Sequence, residues 1–327
     1  MNFLIIGAGA WGTGIAVHLK RSGHSVTLTC ENTAEKERIL RDGENKLRMP
    51  GIKTDGLNFV TADEIPGGIE AVIVALPSHV YEVGVKNILQ KAPALATGAK
   101  WVSLAKSIVL TTHKTPSETL EDILPKGTPV FCLSGPQHAG SVAAGLPSAA
   151  VLSGHGDCEA LQEAINSPLM RVYGGHDRRG AELGGALKNS YAVAAGICDG
   201  LGLGDNAKAG LLTRSLAEMA RLGVALGGKQ ETFFGLTGVG DLMATSYGVW
   251  SRNRQLGERV ARGEDGKTLV DGGLTAEGYR ASKGLLDLAQ QKKIDAPILA
   301  QVAAVLHEGK SPKAALLELM SRPLKKE

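Results

Sequence analysis

The stretch NFLIIGAGAWGTGIAVHLKRSGHSVTLTCE, residues 2–31, decides the fold. A run of apolar residues leads into Gly7, Gly9 and Gly12 in GxGxxG spacing. A helix-periodic apolar segment follows, and then a second β-branched run. The glycine spacing alone is a weak sign, but strand, glycine turn, helix and strand in that order are the context it requires. Gly7 permits a tight turn, Gly9 lets backbone approach a pyrophosphate, and Gly12 permits close packing of helix on strand. The helix N-terminus then offers unpaired N–H groups and a positive dipole end to phosphate. An ordinary glycine-rich βα turn is the plainer alternative. Glu31 lies nineteen residues after Gly12. An acid there accepts from adenosine ribose hydroxyls and repels a 2′-phosphate, which favours NADH over NADPH. It could instead open a solvated loop, and Arg38 and Arg41 stand close in sequence.

Outward from this stretch the first half alternates. Residues 25–29, 71–76, 101–104, 129–133 and 148–153 are short apolar or β-branched runs, following the one at 2–6. Helix-like segments fall at 11–22, 34–42, 78–90 and 157–166. Continuous apolar strands alternating with helices predict a parallel sheet covered on both faces. After about residue 178 the strand signal stops, and 180–200, 207–226, 251–262, 278–290, 297–308 and 311–320 show helical spacing. The expected architecture is a doubly wound, Rossmann-type α/β domain over 1–178 and an all-helical domain over 179–327, with a frayed tail at 321–327.

Composition narrows the function. With 43% hydrophobic and 21% charged residues among 327, the chain reads as globular. A net charge of +3 is too mild to argue for nucleic acid, and it suits an anionic small molecule. No apolar run is long enough to span a bilayer, and the N-terminus lacks a signal-peptide pattern. Cys30, Cys132, Cys158 and Cys198 read as isolated reduced thiols, which with the missing signal predicts a cytoplasmic protein. No Asp/His/Cys grouping has metal-ligand spacing, so no metal is expected.

The segment GGALKNSYAVAAG, residues 184–196, sets Lys188 and Asn189 among small apolar residues. A lysine desolvated there is expected to have a lowered pKa and to serve as a general acid–base. A helix-surface lysine beside an ordinary asparagine is the alternative. SRN at 251–253 opens a helix that Ser251 can cap, with Arg252 and Asn253 in the first turn. A phosphate is the natural ligand of such a terminus, and Arg252 adds fork geometry. A plain capped helix with a solvated arginine would look the same.

Together, ELGGALKNSYAVAAGICDGLGLGDN, GLTGVGDLMATSYGVWSRNRQLG, TAEG, GAGAWGT, ALPSH, LAKSI and SGPQHA resemble, in order and spacing, the bacterial glycerol-3-phosphate dehydrogenases. The resemblance runs from the first strand to about residue 280. It implies hydride transfer between NAD(P)H and dihydroxyacetone phosphate or sn-glycerol 3-phosphate, supplying glycerol 3-phosphate for phospholipid synthesis, in a homodimer. By motif it makes Lys188 the acid–base and Asp241 its partner or a hold on a substrate hydroxyl. It puts Lys106, Gly135, Gln137, Ser251, Arg252 and Asn253 on substrate. Gly7, Gly9, Ala10, Trp11, Gly12, Glu31, Lys106, Ala139, Arg252, Thr275 and Glu277 fall on the cofactor. Asp241 could instead cap the next helix, Lys106 could be a surface lysine after a strand, and Glu277 could be a first-turn acid favoured by the dipole.

Two departures stand out. Gln137 and His138 replace the small hydroxyl residue and bulky neighbour usual in that loop, and an acid stands at Glu31 where many members carry arginine. His79 and His138 read as surface or satisfied histidines. A sister reductase acting on a hydroxy acid or a ketopantoate-like acid would lack the SRNRQLG helix. A non-catalytic NAD-sensing module need not keep Lys188, Asp241 and Arg252 together.

Overall fold

The computed structural model describes residues 1–109, 112–156 and 158–324. The first residue of the expected 157–166 helix and the last three of the expected frayed tail lie outside them. The chain divides into two compact units, Met1–Arg178 and Arg179–Glu327.

In the first unit eight strands form one sheet: β1 Asn2–Ile6, β2 Ser25–Thr29, β3 Asn58–Val60, β4 Ala71–Val74, β5 Lys100–Ser103, β6 Val130–Ser134, β7 Ser148–Gly154 and β8 Met170–Gly175. Their order is β3-β2-β1-β4-β5-β6-β7-β8. The helices are α1 Ala10–Arg21, α2 Thr33–Asp42, α3 Tyr81–Lys91, α4 Leu95–Gly98, α5 Pro116–Ile123, α6 Ala139–Ala143 and α7 Glu159–Ile165. Alternation along β1 divides the core. Phe3 and Ile5 join Ile15 and Leu19 of α1, Ile39 of α2, Val142 of α6 and Ile165 of α7. Leu4 and Ile6 join Tyr81 and Val85 of α3, Leu95 of α4 and Leu120 of α5 on the other face. Helices on both faces explain why central strands read as unbroken apolar runs.

The sheet departs from the expected all-parallel form at one seam. β6 and β7 pair antiparallel, from Phe131 opposite Gly154 to Ser134 opposite Val151, and β7 and β8 then pair parallel. Gly154 suits this seam because a Cβ there would lie 2.3 Å from the Phe131 ring. The ends of β7 and β8 that correspond to the carboxyl ends of β1 to β6 therefore fall on the opposite edge.

The second unit is helical: α8 Arg178–Gly200, α9 Gly204–Ala225, α10 Gln230–Phe233, α11 Asp241–Tyr247, α12 Arg252–Ala261, α13 Gly266–Asp271, α14 Glu277–Gln291, α15 Pro297–His307 and α16 Pro312–Met320. A single π-helical turn, Leu236–Gly240, leads into α11. α8 is its axis. Leu183, Leu187, Tyr191 and Ala195 are all buried, and so are the glycines and alanines between them. Those small residues let neighbours approach at backbone distance. A Cβ on Gly184 would meet Thr237 O at 2.5 Å, one on Gly196 would meet Arg254 O at 2.0 Å, and one on Gly257 of α12 would meet Val193 O at 2.1 Å.

Glu218 of α9 is buried and caps α15 from outside. Its carboxylate accepts from the N–H groups of Ile298 and Leu299, each at 2.9 Å, and from the Tyr191 hydroxyl at 3.2 Å. Burial pushes the Glu218 carboxyl up, against the pull of those hydrogen bonds. The folded protein thus holds this proton to higher pH than the unfolded chain does. The contribution of Glu218 to stability accordingly falls as pH rises from the ordinary carboxylate range through the raised value. Glu218→Gln turns an amide donor toward a backbone donor and is expected to cost roughly 1–3 kcal/mol in urea unfolding. The gap between parent and variant should narrow as pH rises; a widening gap would contradict the assignment.

Candidate functional site

The glycine loop is held from behind. Gly7 has φ +105°, a backbone region open to glycine, and its N–H donates to Thr29 Oγ1 at 3.1 Å. A Cβ on Gly12 would stand 2.0 Å from Gly7 O, so α1 can start this close to β1 only with glycine. Asn45, fully buried, donates from Nδ2 to Ala8 O at 2.7 Å and to Thr13 Oγ1 at 3.2 Å. By contrast, a Cβ on Gly9 would meet no atom within 4 Å, which leaves open space in front of the start of α1. Ala10 and Trp11 are the first two residues of α1, and the buried indole N–H of Trp11 has no acceptor among the described residues. Gly14 and Ala139 meet across α1 and α6, where a Cβ on Gly14 would lie 2.8 Å from Ala139 O. A rigid glycine turn with an open front and an orphaned indole donor fits a dinucleotide.

Glu31 is exposed just past β2, and its backbone N–H donates to Glu35 Oε2 at 2.8 Å. Asn32 caps α2 by accepting from Glu35 N at 2.9 Å. Arg41 pairs with Asp42 at 3.0 Å, and Lys36 with Glu64 at 2.6 Å. At the other end of this group, Lys106 donates from Nζ to Gly135 O at 2.6 Å. Gly135 has φ +133°, so the loop after β6 turns where only glycine is at ease.

Gln137 is 8% exposed and donates from Nε2 to Ala149 O at 3.0 Å, while its buried Oε1 has no partner among the described residues. His138 is an N-cap, accepting at Nδ1 from Ser141 N at 3.3 Å.

In the second unit, Lys188 is 6% exposed and Asp241 1%. Lys188 Nζ lies 3.0 Å from Asp241 Oδ1 and 2.7 Å from Thr245 Oγ1, and the Thr245 hydroxyl donates to Asp241 Oδ1 at 3.1 Å. Asp241 therefore does not spend its carboxylate on capping; α11 has Gly240 at its N-cap position. Sequence reasoning passed over Thr245, although its i+4 spacing from Asp241 sets it on the same helix face.

The next residue along α8 ties in α12 and α14. Asn189 Oδ1 accepts from Asn253 Nδ2 at 2.9 Å, and Asn253 Oδ1 accepts from Gly278 N at 2.9 Å. Both ends of the Asn253 amide are thereby engaged. Ser251 caps α12, accepting from Arg254 N at 3.3 Å. Arg252, at the first position of this ten-residue helix, is exposed and donates to Thr275 Oγ1. The amides of Arg252 and Asn253 have no carbonyl of their own helix to bond. Glu277 is the first residue of α14. Residues from 188 to 278 are thus gathered around one stretch of α8.

A dinucleotide-type βαβ unit and a buried lysine–aspartate pair beside a capped helix start define the class: nicotinamide-dependent dehydrogenases with a Rossmann-type and a helical domain. The comparisons narrow it. Residues 2–159 match the N-terminus of NAD-dependent glycerol-3-phosphate dehydrogenase, and residues 177–317 match its C-terminus. The chain belongs to the NAD-dependent glycerol-3-phosphate dehydrogenase family. It is 42% identical to a glycerol-3-phosphate dehydrogenase (NAD(P)+) of Thermus thermophilus over 330 residues, covering 100% of both chains. It is 40% identical to that of Nitratidesulfovibrio vulgaris Hildenborough over 334 residues, again covering 100% of both. The crystal structure of Coxiella burnetii glycerol-3-phosphate dehydrogenase superposes with TM-score 0.91 at 33% identity, covering 98% of this chain and 99% of that one. Among the described residues no helix is long and apolar enough to cross a membrane.

Proposed function

We propose that the chain interconverts dihydroxyacetone phosphate and sn-glycerol 3-phosphate, and that the observation carrying this is the buried Lys188–Asp241–Thr245 group beside the start of α12. A reduced nicotinamide held by the glycine loop would supply the hydride for the substrate C2. Lys188 donates its proton to the C2 oxygen, and its charge stabilises the alkoxide developing there. Asp241 and Thr245 hold the ammonium in one position. In the oxidative direction the neutral amine takes the hydroxyl proton back. Arg252 and the first amides of α12, capped by Ser251, hold the phosphate.

On this reading residues 1–178 are the dinucleotide-binding domain, and residues 179–327 the substrate-binding and catalytic one. Gly7, Gly9, Ala10, Trp11, Gly12 and Ala139 line the dinucleotide. Lys106 with Gly135 reaches cofactor and substrate, and Thr275 and Glu277 complete the cofactor contacts with Arg252. A homodimer in the cytoplasm, feeding phospholipid synthesis, follows from the family resemblance.

The test is reduced-nicotinamide oxidation with dihydroxyacetone phosphate, set against a ketopantoate-like acid. Turnover with the acid alone would overturn the reading in favour of a sister reductase. We further infer a preference for NADH. Glu31 stands where a 2′-phosphate would be repelled, and Arg41 is engaged by Asp42. Glu31→Arg is expected to move the ratio of kcat/KM toward NADPH by roughly 1–3 kcal/mol. A parent that prefers NADPH, with that preference unmoved in the variant, would sink it.

A further inference from the structure

Sequence position singles out Glu31 as the acid beside the adenosine ribose. The geometry brings a second carboxylate to the same place. Glu35 Oε2 accepts the backbone N–H of Glu31 at 2.8 Å, and Glu35 Oε1 stands 3.9 Å from Arg38 Nη2. We propose that Glu35 is a specificity-determining residue that disfavours a 2′-phosphorylated dinucleotide. The proposal rests on the reading, given above, that the adenosine ribose lies at the end of β2.

A 2′-phosphate bound past β2 needs donors: a backbone amide, a guanidinium or an ammonium. Glu35 takes the amide nearest to hand, that of Glu31. Its other oxygen faces Arg38, the α2 arginine not already beside Asp42. The remaining cation of that turn, Lys36, is turned to Glu64, with both carboxylate oxygens within 2.7 Å of Nζ. The amide just ahead of α2 is thus already taken by the chain's own carboxylate. The ribose 2′-hydroxyl of NADH loses nothing by this, since a hydroxyl can donate to carboxylate. A phosphate, which offers acceptors only, meets two negative charges, and the Glu31 amide, Lys36 and Arg41 are already paired with carboxylates.

Glu35 also supports the cap of α2, so the test must separate charge from capping. Glu35→Gln removes the charge yet keeps an oxygen to accept from Glu31 N. Dissociation constants for NADH and NADPH would be measured by titration calorimetry on the full chain, alongside kcat/KM for each and the Tm. The expected result is an unchanged Tm and a ratio of NADPH to NADH affinity raised roughly 5-fold, the scale of one unit-charge interaction near a wet surface. An unchanged ratio overturns the proposal. Glu31→Gln, measured in parallel, keeps the two ideas apart. If Glu31→Gln shifts the ratio and Glu35→Gln does not, Glu35 is only a cap. If Glu35→Gln alone shifts it, the reading of Glu31 falls while Glu35 stands.

Discussion

Lys188→Ala is expected to lose between roughly 10²- and 10⁴-fold in kcat, the contribution of one positioned proton donor, with further loss from the missing positive charge. Binding of the cofactor, measured by calorimetry, should hold, because Lys188 is not among the residues proposed to contact it. The variant carries a structural cost that must be separated from the chemical one. It leaves Asp241, 1% exposed, without its ammonium. Breaking a buried pair this way costs roughly 3–5 kcal/mol. The companion Lys188→Met/Asp241→Asn removes both charges and should regain most of that stability while staying inactive. A folded Lys188→Ala enzyme turning over near the parent rate would show that another group moves the proton.

Arg252→Ala should weaken dihydroxyacetone phosphate far more than unphosphorylated dihydroxyacetone. A lost charge-assisted hydrogen bond costs roughly 1.5–3 kcal/mol, about 10- to 150-fold in affinity. Arg252 is exposed and Ser251 caps α12 without it, so the helix should survive the change. The effect belongs in KM for the phosphorylated substrate. Equal losses for both substrates would move Arg252 out of the phosphate site.

Much of this was legible because the relevant signals are local. The βαβ unit declares itself through glycines whose spacing is set by contacts within one turn, and β1, β2 and α8 are long or regular enough for their periods to show. β3 did not show, because three residues, Asn58–Val60, carry no period. β8 did not either: only four residues, Met170 to Tyr173, precede its two closing glycines. The antiparallel seam was hidden because strand direction depends on the path of the connection, not on strand composition. In the site, Lys188 and Arg252 could be picked out by residue type and setting. Thr245, Asn45 and Glu35 could not. Each is an ordinary polar residue whose meaning comes from a partner that the fold delivers, as with Asn45 and the Ala8 carbonyl at 2.7 Å.

The glycine contacts along α8 have a consequence for what the enzyme can be persuaded to accept. At Gly196 and Gly257 the two helices touch main chain to main chain, so neither can slide or roll without collision. The spacing between the ammonium on α8 and the start of α12 is therefore machined into the backbone and cannot be retuned by exchanging side chains. On the proposed chemistry those points grip the two ends of one small molecule, a reacting oxygen and a phosphate. The crossing then works as a fixed gauge for carbon count, and attempts to evolve activity on longer phosphorylated ketones would have to begin by unseating α12.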